Sequence, residues 1–173
     1  TAMVPAISAA ARLGVLCKSV VDLEAARNLT AMIFDKTGTL TTGQLQVTRL
    51  EPYVAAEASA SDRQTRAMDL LRAAASAEQA SKHPVARAVT NIARQAKLKL
   101  PDVTDFHEYS GQGVRASVGG HNVLVGRATW LSDLDGGMIS PGAVAALRQL
   151  QDSADTEGLS TLFVVRDGQL LGW

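Results

Sequence analysis

The segment Asp35-Lys36-Thr37-Gly38-Thr39-Leu40-Thr41 combines a carboxylate with hydroxyls, a cation and a glycine. An aspartate at a sharp exit from a strand is exposed to an incoming phosphoryl group and can act as a covalent nucleophile. The hydroxyls, the lysine and the backbone N–H groups loosened by the glycine offer a cradle for phosphate oxygens. Because phosphoryl transfer depends mainly on positioning and electrostatics, the segment predicts phosphoryl chemistry at Asp35.

A second candidate group lies in Glu78-Gln79-Ala80-Ser81-Lys82-His83-Pro84, where a carboxylate precedes an imidazole by five positions. Taken alone, the stretch has a structural interpretation, in which Ser81 caps a helix whose first turn contains Pro84. A binding interpretation is also open, because a neutral imidazole can stack on a purine and exchange a hydrogen bond with it.

Glycines mark two further candidate positions, Gly111-Gln112-Gly113-Val114 and Gly126-Arg127. A Gly-x-Gly segment can be a simple turn between strands. It can also let the backbone approach a bound ligand closely, because no Cβ intervenes.

The elements that position these residues follow from hydrophobic periodicity and turn signals. Ala31-Met32-Ile33-Phe34 is a short apolar run that ends at Asp35, which is typical of a strand buried on both faces of a parallel sheet. Open α/β sheets bind their ligands at the carboxyl ends of such strands. Helices are expected at 6–14, 20–28, 62–79, 84–97 and 141–157, and strands at 15–18, 45–50, 103–109, 113–119, 121–126, 160–166 and 169–173, the last two joined by Asp167-Gly168.

Composition excludes several classes of function. Seventeen basic and seventeen acidic residues cancel, so the chain lacks the charge of a dedicated nucleic-acid binder. The single cysteine, Cys17, can form neither an internal disulfide nor a cysteine cluster for structural zinc. No run approaches the roughly 18 apolar residues of a membrane span.

With these motifs in view, the heptapeptide resembles the phosphorylation signature of P-type ATPases. Ser81-Lys82-His83-Pro84 resembles the Ser-x-His-Pro motif of the heavy-metal-transporting branch, with lysine where glutamate is common. Thr37 agrees with this resemblance. Phosphatases of the haloacid-dehalogenase superfamily carry an aspartate two residues after the nucleophile, a general acid–base group typically worth about 10²–10⁴-fold in rate. A threonine there lets an aspartyl-phosphate persist.

The resemblance implies a role for each candidate residue. Asp35 would be the phosphate acceptor, Lys36 would lie beside the phosphate, and the Thr37 backbone carbonyl would join Asp35 in binding Mg²⁺. His83 would contact the adenine of ATP, and Glu78 would help to orient the base or the histidine. The remaining nucleotide-binding positions would be Gly111, Gly113, Gly126 and Arg127, the last of which replaces the family's asparagine.

The implied fold class is α/β and α+β. Residues 1–43 would supply the N-terminal part of a Rossmann-like, haloacid-dehalogenase-type phosphorylation domain together with a stalk segment. Residues 44–173 would form a nucleotide-binding domain, an antiparallel sheet flanked by helices. Because one strand cannot bury both of its faces alone, residues 1–43 are expected to dock on the second domain, to pair with another chain or to be poorly ordered.

The implied function is that of the cytosolic region of an integral membrane protein, a pump that couples ATP hydrolysis to metal export through an aspartyl-phosphate, with copper favoured. The implied partners are ATP and the remainder of the ATPase: the membrane helices, the actuator domain and the rest of the phosphorylation domain. The transported ion would bind outside this chain, no nucleic acid is expected, and the isolated chain is expected to turn over little. Two alternatives remain open, a haloacid-dehalogenase-type phosphatase and a non-catalytic nucleotide-binding module.

Overall fold

The computed structural model describes residues 3–134, 138–156 and 160–173, except for the side chains of residues 22, 23, 27, 37 and 154–156. The chain divides into two compact units, Thr1–Gly43 and Gln44–Trp173. The functional identity predicted for each unit remains a prediction.

The first unit contains two helices, α1 (Met3–Arg12) and α2 (Val20–Ala25), and α2 runs into a 3₁₀ turn at Ala26–Asn28. Both helices were predicted from the sequence, and the structure confirms them. Gly14 ends α1 with a φ of +78°, and the Val15 N–H donates to the Ala10 carbonyl at 2.9 Å, as in a Schellman cap. A π-helical turn follows at Lys36–Leu40.

Two predicted strands of the first unit, at 15–18 and 31–34, were wrong, because neither segment forms a strand. Ile33 is 97% exposed, and Met32 and Phe34 are exposed as well. A strand is defined by hydrogen bonds to a neighbouring strand, and the described part of the first unit supplies no such neighbour. The apolar run at 31–34 therefore lies exposed, because the described part of the first unit contains no sheet that would bury it.

The second unit is built on one antiparallel sheet in which the five strands follow chain order, β1-β2-β3-β4-β5. The turn between β4 and β5 consists of Asp167 (φ +48°) and Gly168 (φ +78°), and positive φ at both positions is the type I′ hairpin predicted from Asp-Gly. The strands are β1 (Val103–Tyr109), β2 (Gly113–Val118), β3 (His121–Gly126), β4 (Phe163–Arg166) and β5 (Gln169–Gly172).

Helices cover both faces of the sheet. On β3, Val123 and Val125 join the apolar core that contains residues of α3 (Ala60–Glu78) and α4 (Pro84–Gln95). Leu124, between them, joins a second core that contains residues of α5 (Ala128–Ser132) and α6 (Pro141–Thr156). Successive side chains of a strand point to opposite faces, so the two helix pairs lie on opposite sides of the sheet. Three of these helices were predicted, but α5 was not.

The segment before α3 differs from the prediction, because 45–50 is not a strand. Its apolar residues Val47 and Leu50 instead pack against the first core. Pairing with the sheet begins just afterwards, where the Glu51 N–H donates to the Trp173 carbonyl and the Tyr53 N–H to the Leu171 carbonyl, both at 2.8 Å. The alternating pattern at 45–50 therefore belongs to a segment that packs against the core. The backbone hydrogen bonds to the edge of the sheet begin only at Glu51.

The predicted antiparallel sheet flanked by helices is confirmed for the second unit, which has five strands. Within the described ranges, no helix has both the length and the apolar character that a membrane crossing requires.

Candidate functional site

Asp35 lies at the entrance of a tight turn in the first unit. Its backbone is extended (φ −67°, ψ 144°), and the π-helical turn Lys36–Leu40 begins at the next residue. The Asp35 carboxylate does not cap this turn, and the side chains of both Asp35 and Lys36 are exposed. The predicted nucleophile is therefore accessible to a phosphoryl donor.

Thr41 holds the turn closed through its backbone and its side chain. Its N–H donates to the Lys36 carbonyl at 3.1 Å, and its hydroxyl donates to the same carbonyl at 3.2 Å. The Gly38 N–H in turn donates to the Thr41 hydroxyl at 3.4 Å. The sequence motif contained Thr41 but indicated no role for it. The Thr37 side chain lies outside the described residues, so the role predicted for Thr37 stays a prediction.

The second unit contains a cleft of about 620 Å³ between the end of α3, the start of α4 and the turn that joins β1 to β2. Five predicted site residues from four separate segments line it, namely Glu78, His83, Gly111, Gly113 and Arg127. Gly126 is buried and pairs directly with Gly113 across β2 and β3. The structure thus gathers the nucleotide-binding candidates in one place, while Asp35, Lys36 and Thr37 belong to the other unit.

His83 is both the N-cap of α4 and a cleft residue. Its Nδ1 accepts a hydrogen bond from the Val85 N–H at 3.3 Å, and Pro84 occupies the first helical position. The prediction that Ser81 caps this helix was wrong. The Ser81 hydroxyl instead accepts from the His83 N–H at 3.1 Å, which fixes the residue that does the capping. Because Nδ1 acts as an acceptor, the proton of the neutral ring resides on Nε2.

Glu78 is a buried carboxyl group at the last residue of α3, with 5% of its surface exposed. Burial raises the pKa of Glu78 to about 7, and the negative charge of Glu108 adds to the rise. Within the described ranges, the structure shows no hydrogen bond to this carboxyl group. Burying an unpaired carboxylate is costly, so the neutral acid is favoured.

Gly113 and Gly126 are required by packing. A Cβ added at Gly126 would lie 2.5 Å from Cε3 of Trp130, and one added at Gly113 would lie 2.6 Å from Cζ3 of the same ring. Gly111 differs, because its φ is +71° and a Cβ there would meet nothing within 4 Å. Of the three glycines, Gly111 is the one with open space for a ligand beside it. Sequence reasoning missed Trp130, whose only signal is its position four residues after Gly126.

Arg127 is tied by its backbone to the glycine turn, because its N–H donates to the Gln112 carbonyl at 3.0 Å. Its side chain is exposed at the cleft. The segment after β3 is therefore held against the turn after β1, and a cation is placed at the cleft mouth.

Residues 29–172 match the family model described as "haloacid dehalogenase-like hydrolase". A probable copper-exporting P-type ATPase V of Mycobacterium tuberculosis is 33% identical over 172 residues, which cover 99% of this chain and 20% of that protein. A probable copper-exporting P-type ATPase of Archaeoglobus fulgidus is 35% identical over 172 residues, which cover 99% of this chain and 19% of that protein. The chain thus spans about a fifth of the length of the curated relatives it matches.

Among solved structures, a zinc-transporting PIB-type ATPase superposes with a TM-score of 0.74 at 32% sequence identity, covering 98% of this chain and 25% of that chain. A second crystal structure of a zinc-transporting PIB-type ATPase superposes with a TM-score of 0.57 at 32% identity, covering 80% of this chain and 20% of that chain.

Proposed function

The chain belongs to the haloacid dehalogenase-like hydrolase family, and we propose that within this family it is the ATP-binding and phosphoryl-accepting cytosolic region of a heavy-metal cation-transporting P-type ATPase. The resemblance to this branch that the motifs predicted is confirmed. The activity, substrate and partners of the whole pump are part of the proposal, because the chain spans about a fifth of its relatives' length.

One observation carries the proposal. Glu78, His83, Gly111, Gly113 and Arg127 come from separate segments of the chain, and the fold brings them to one cleft. These are the positions at which the heavy-metal motifs place a nucleotide. If the motif matches had arisen by chance, their residues would not be expected to line the same cleft.

At the base-binding end of the cleft, His83 would present its Nε2–H to the nucleotide, because its Nδ1 is engaged in the helix cap. Glu78 would contact the base edge from the end of α3. Gly111 leaves open space for the nucleotide, and the exposed Arg127 would approach the phosphates. ATP is thereby held by its base and ribose end, and the triphosphate extends away from that end of the cleft.

At the phosphoryl-accepting end, an oxygen of the Asp35 carboxylate attacks the γ-phosphorus of ATP. The bond from the γ-phosphorus to the β–γ bridging oxygen breaks, its electrons stay with that oxygen, and ADP leaves. The Lys36 ammonium and the backbone N–H groups of the turn that Thr41 closes offset the charge on the phosphoryl oxygens. Thr37, unlike an aspartate, supplies no general base, so the aspartyl-phosphate persists until the pump changes shape.

The residues present fit a Mg²⁺ ion as part of its ligand set. The described residues contain no group of three or more histidine, cysteine, aspartate or glutamate side chains that would form a complete metal cage. Mg²⁺ in phosphoryl-transfer sites typically uses one or two carboxylates together with substrate phosphates and water. Asp35 and the Thr37 carbonyl would therefore hold it, and the ion when bound would neutralise charge on the transferring phosphoryl group.

Copper is the favoured cargo. Two Mycobacterium tuberculosis relatives and one from Archaeoglobus fulgidus are described as copper-exporting or probably so, whereas the superposed structures are described as zinc-transporting. The ion would bind outside this chain, in the membrane part of the pump.

Phosphorylation of the complete protein that carries this sequence tests the proposal. With Mg²⁺ and γ-³²P-ATP, acid-stable label is expected in the wild type and should be lost in Asp35→Asn. Equal labelling of the two proteins would overturn the proposal. The phosphatase alternative predicts instead that the isolated chain rapidly hydrolyses p-nitrophenyl phosphate, and we expect no such turnover.

A further inference from the structure

We propose that the cleft continues past its base-binding end into a phosphate track, in which Thr161 and Arg49 hold the triphosphate of ATP beyond Arg127. This inference rests on the proposed function and deepens it, because it assigns two further residues to the same ligand. Neither Thr161 nor Arg49 lies in a motif that indicated chemistry in the sequence.

The cleft runs along one end of the sheet. Gly113 at the start of β2 pairs with Gly126 at the end of β3, and Gly126 pairs with Phe163 at the start of β4. Trp173, directly after β5, exchanges two backbone hydrogen bonds of 2.8 and 2.9 Å with Glu51. The ends of these strands and the segment that begins to pair at Glu51 therefore lie side by side, about 4.8 Å apart.

The residues next to these ends line the cleft in the same order. Gly111 lies in the turn before β2, and Arg127 lies directly after β3. Thr161 lies shortly before β4, and Arg49 lies shortly before Glu51. Three strand spacings separate β3 from the segment at Glu51, a span of about 14 Å. The cleft is thus an elongated groove, in which Arg127 lies between the base-binding end and Arg49.

Charge is divided along this groove. Of the described residues that line it, those with carboxyl groups are Glu78 and Glu108, and both lie at its β1 end. The arginines, Arg127 and Arg49, lie farther along. A nucleotide bound in the reverse direction would place its phosphates beside two carboxyl groups. Electrostatics therefore favours the base at the β1 end and the phosphates beside the arginines.

Thr161 and Arg49 carry donors that suit phosphate oxygens. Thr161 is half-buried, and among the described residues the structure shows no hydrogen bond to its hydroxyl group. Arg49 is exposed and takes part in other interactions of the fold, but a guanidinium has five N–H donors and can bind a ligand as well. Leu50 packs against the first core and Glu51 is bonded to the sheet, so the backbone that carries Arg49 is anchored.

Manganese locates the triphosphate directly in the full 173-residue chain. Mn²⁺ chelated by the phosphates of ATP broadens the NMR signals of nearby amides. The amide signals of Thr161 and Arg49 should broaden, whereas that of Lys97, which follows the end of α4 remote from the cleft, should stay sharp. The same amount of Mn²⁺ with AMP shows any binding of the ion to the protein itself.

Calorimetry with AMP, ADP and ATP, in EDTA at constant ionic strength, measures the contribution of each residue. Arg49→Gln should raise the Kd for ATP about tenfold and leave that for AMP within about twofold, because a charge-assisted hydrogen bond to the distal phosphates is lost. Thr161→Val should raise the Kd for ATP about threefold. Arg94→Gln removes an exposed arginine of α4 outside the cleft and should change neither value.

The outcomes separate the inference from the proposed function. If ATP shifts the signals of His83 and Gly111 but leaves those of Thr161 and Arg49 sharp with Mn²⁺, the inference is wrong and the proposed function stands. The same conclusion follows if Arg49→Gln weakens AMP and ATP equally, since that result indicates a structural role. If none of the three nucleotides binds, the proposed function fails and the inference fails with it. The manganese experiment uses the wild type, so it decides the matter even if a variant does not fold.

Discussion

Gly113 and Gly126 face each other across β2 and β3, and the Trp130 ring occupies the space that a side chain at either position would need. Trp130 is 8% exposed, and its ring centroid lies 5.1 Å from that of Tyr109, the residue on β1 that pairs with Gly113. The rim of the cleft is thus held by a tryptophan packed on a pair of glycines.

This packing predicts that Gly126→Ala destabilises the second unit. The new Cβ would lie 2.5 Å from Trp130 Cε3 and 2.7 Å from the Gln112 carbonyl oxygen, and the backbone atom cannot move aside cheaply. Overpacking of this kind costs about 1–3 kcal/mol, to be measured by urea unfolding. Gly142→Ala is the matched control, because a Cβ there meets nothing within 4 Å in α6, and it should be neutral or stabilise by up to about 1 kcal/mol. Equal effects of the two changes would contradict this account.

The ion pair between Asp69 on α3 and Arg166 on β4 should contribute to stability. Two hydrogen bonds of 3.0 and 2.8 Å join the two groups, and about 30% of each side chain is exposed (31% and 28%). Asp69→Asn should cost about 1–2 kcal/mol. Asp105→Asn is the exposed control: its carboxylate lies 3.0 Å from His107 Nε2 and 3.8 Å from Arg115, and its loss should change stability by less than about 0.5 kcal/mol.

The pH dependence of this pair has a defined sign. The Arg166 guanidinium lowers the pKa of Asp69 below its ordinary value of 3.8, so the folded state favours the ionised form. The stabilisation is present above the unfolded pKa and is lost as pH falls through the lower folded pKa. The stability difference between wild type and Asp69→Asn should therefore shrink only in strong acid. A difference that vanished already at pH 6 would point to another origin.

Glu78 should have the opposite effect. Its pKa rises on folding from 4.5 to about 7, so the folded state holds the proton more tightly and loses stability as pH rises between these values. Glu78→Gln should therefore be more stable than wild type at pH 8, by up to about 3 kcal/mol, and nearly equal to it at pH 5. Thermal or urea unfolding at the two pH values measures this, and a gain of the same size at both would rule out relief of a buried charge.

The two roles of His83 can be separated. His83→Ala removes the N-cap of α4 and should cost about 1 kcal/mol, and it should also weaken ATP binding. His83→Asn keeps a side chain that caps well, so stability should be largely restored while ATP affinity stays low. Unfolding curves and ATP titrations of the same two proteins provide the comparison. Recovery of full affinity in His83→Asn would show that the imidazole makes no contact with the base.

Much of the second unit could be predicted because its signals are local. The helical periodicity around α3, the Pro84 start of α4 and the Asp167-Gly168 turn act within a few residues, and each specifies its own element. The predicted strands at 31–34 and 45–50 were wrong for one shared reason. An apolar or alternating pattern indicates that a segment has a face suited to burial. A strand also needs a neighbouring strand at hydrogen-bonding distance, which the pattern does not show.

By itself, the sequence determined which residues are the candidates for chemistry. Asp35 with its threonines, and Glu78 with His83, are recognisable from residue types and spacing alone, because those features belong to consecutive residues. Only the tertiary structure decided the state of these groups. The charge of Glu78 depends on burial and on Glu108 across a sheet register, and the need for glycine at Gly113 and Gly126 depends on where Trp130 packs. Both are properties of contacts between segments distant in sequence, and such contacts exist only once the chain has folded.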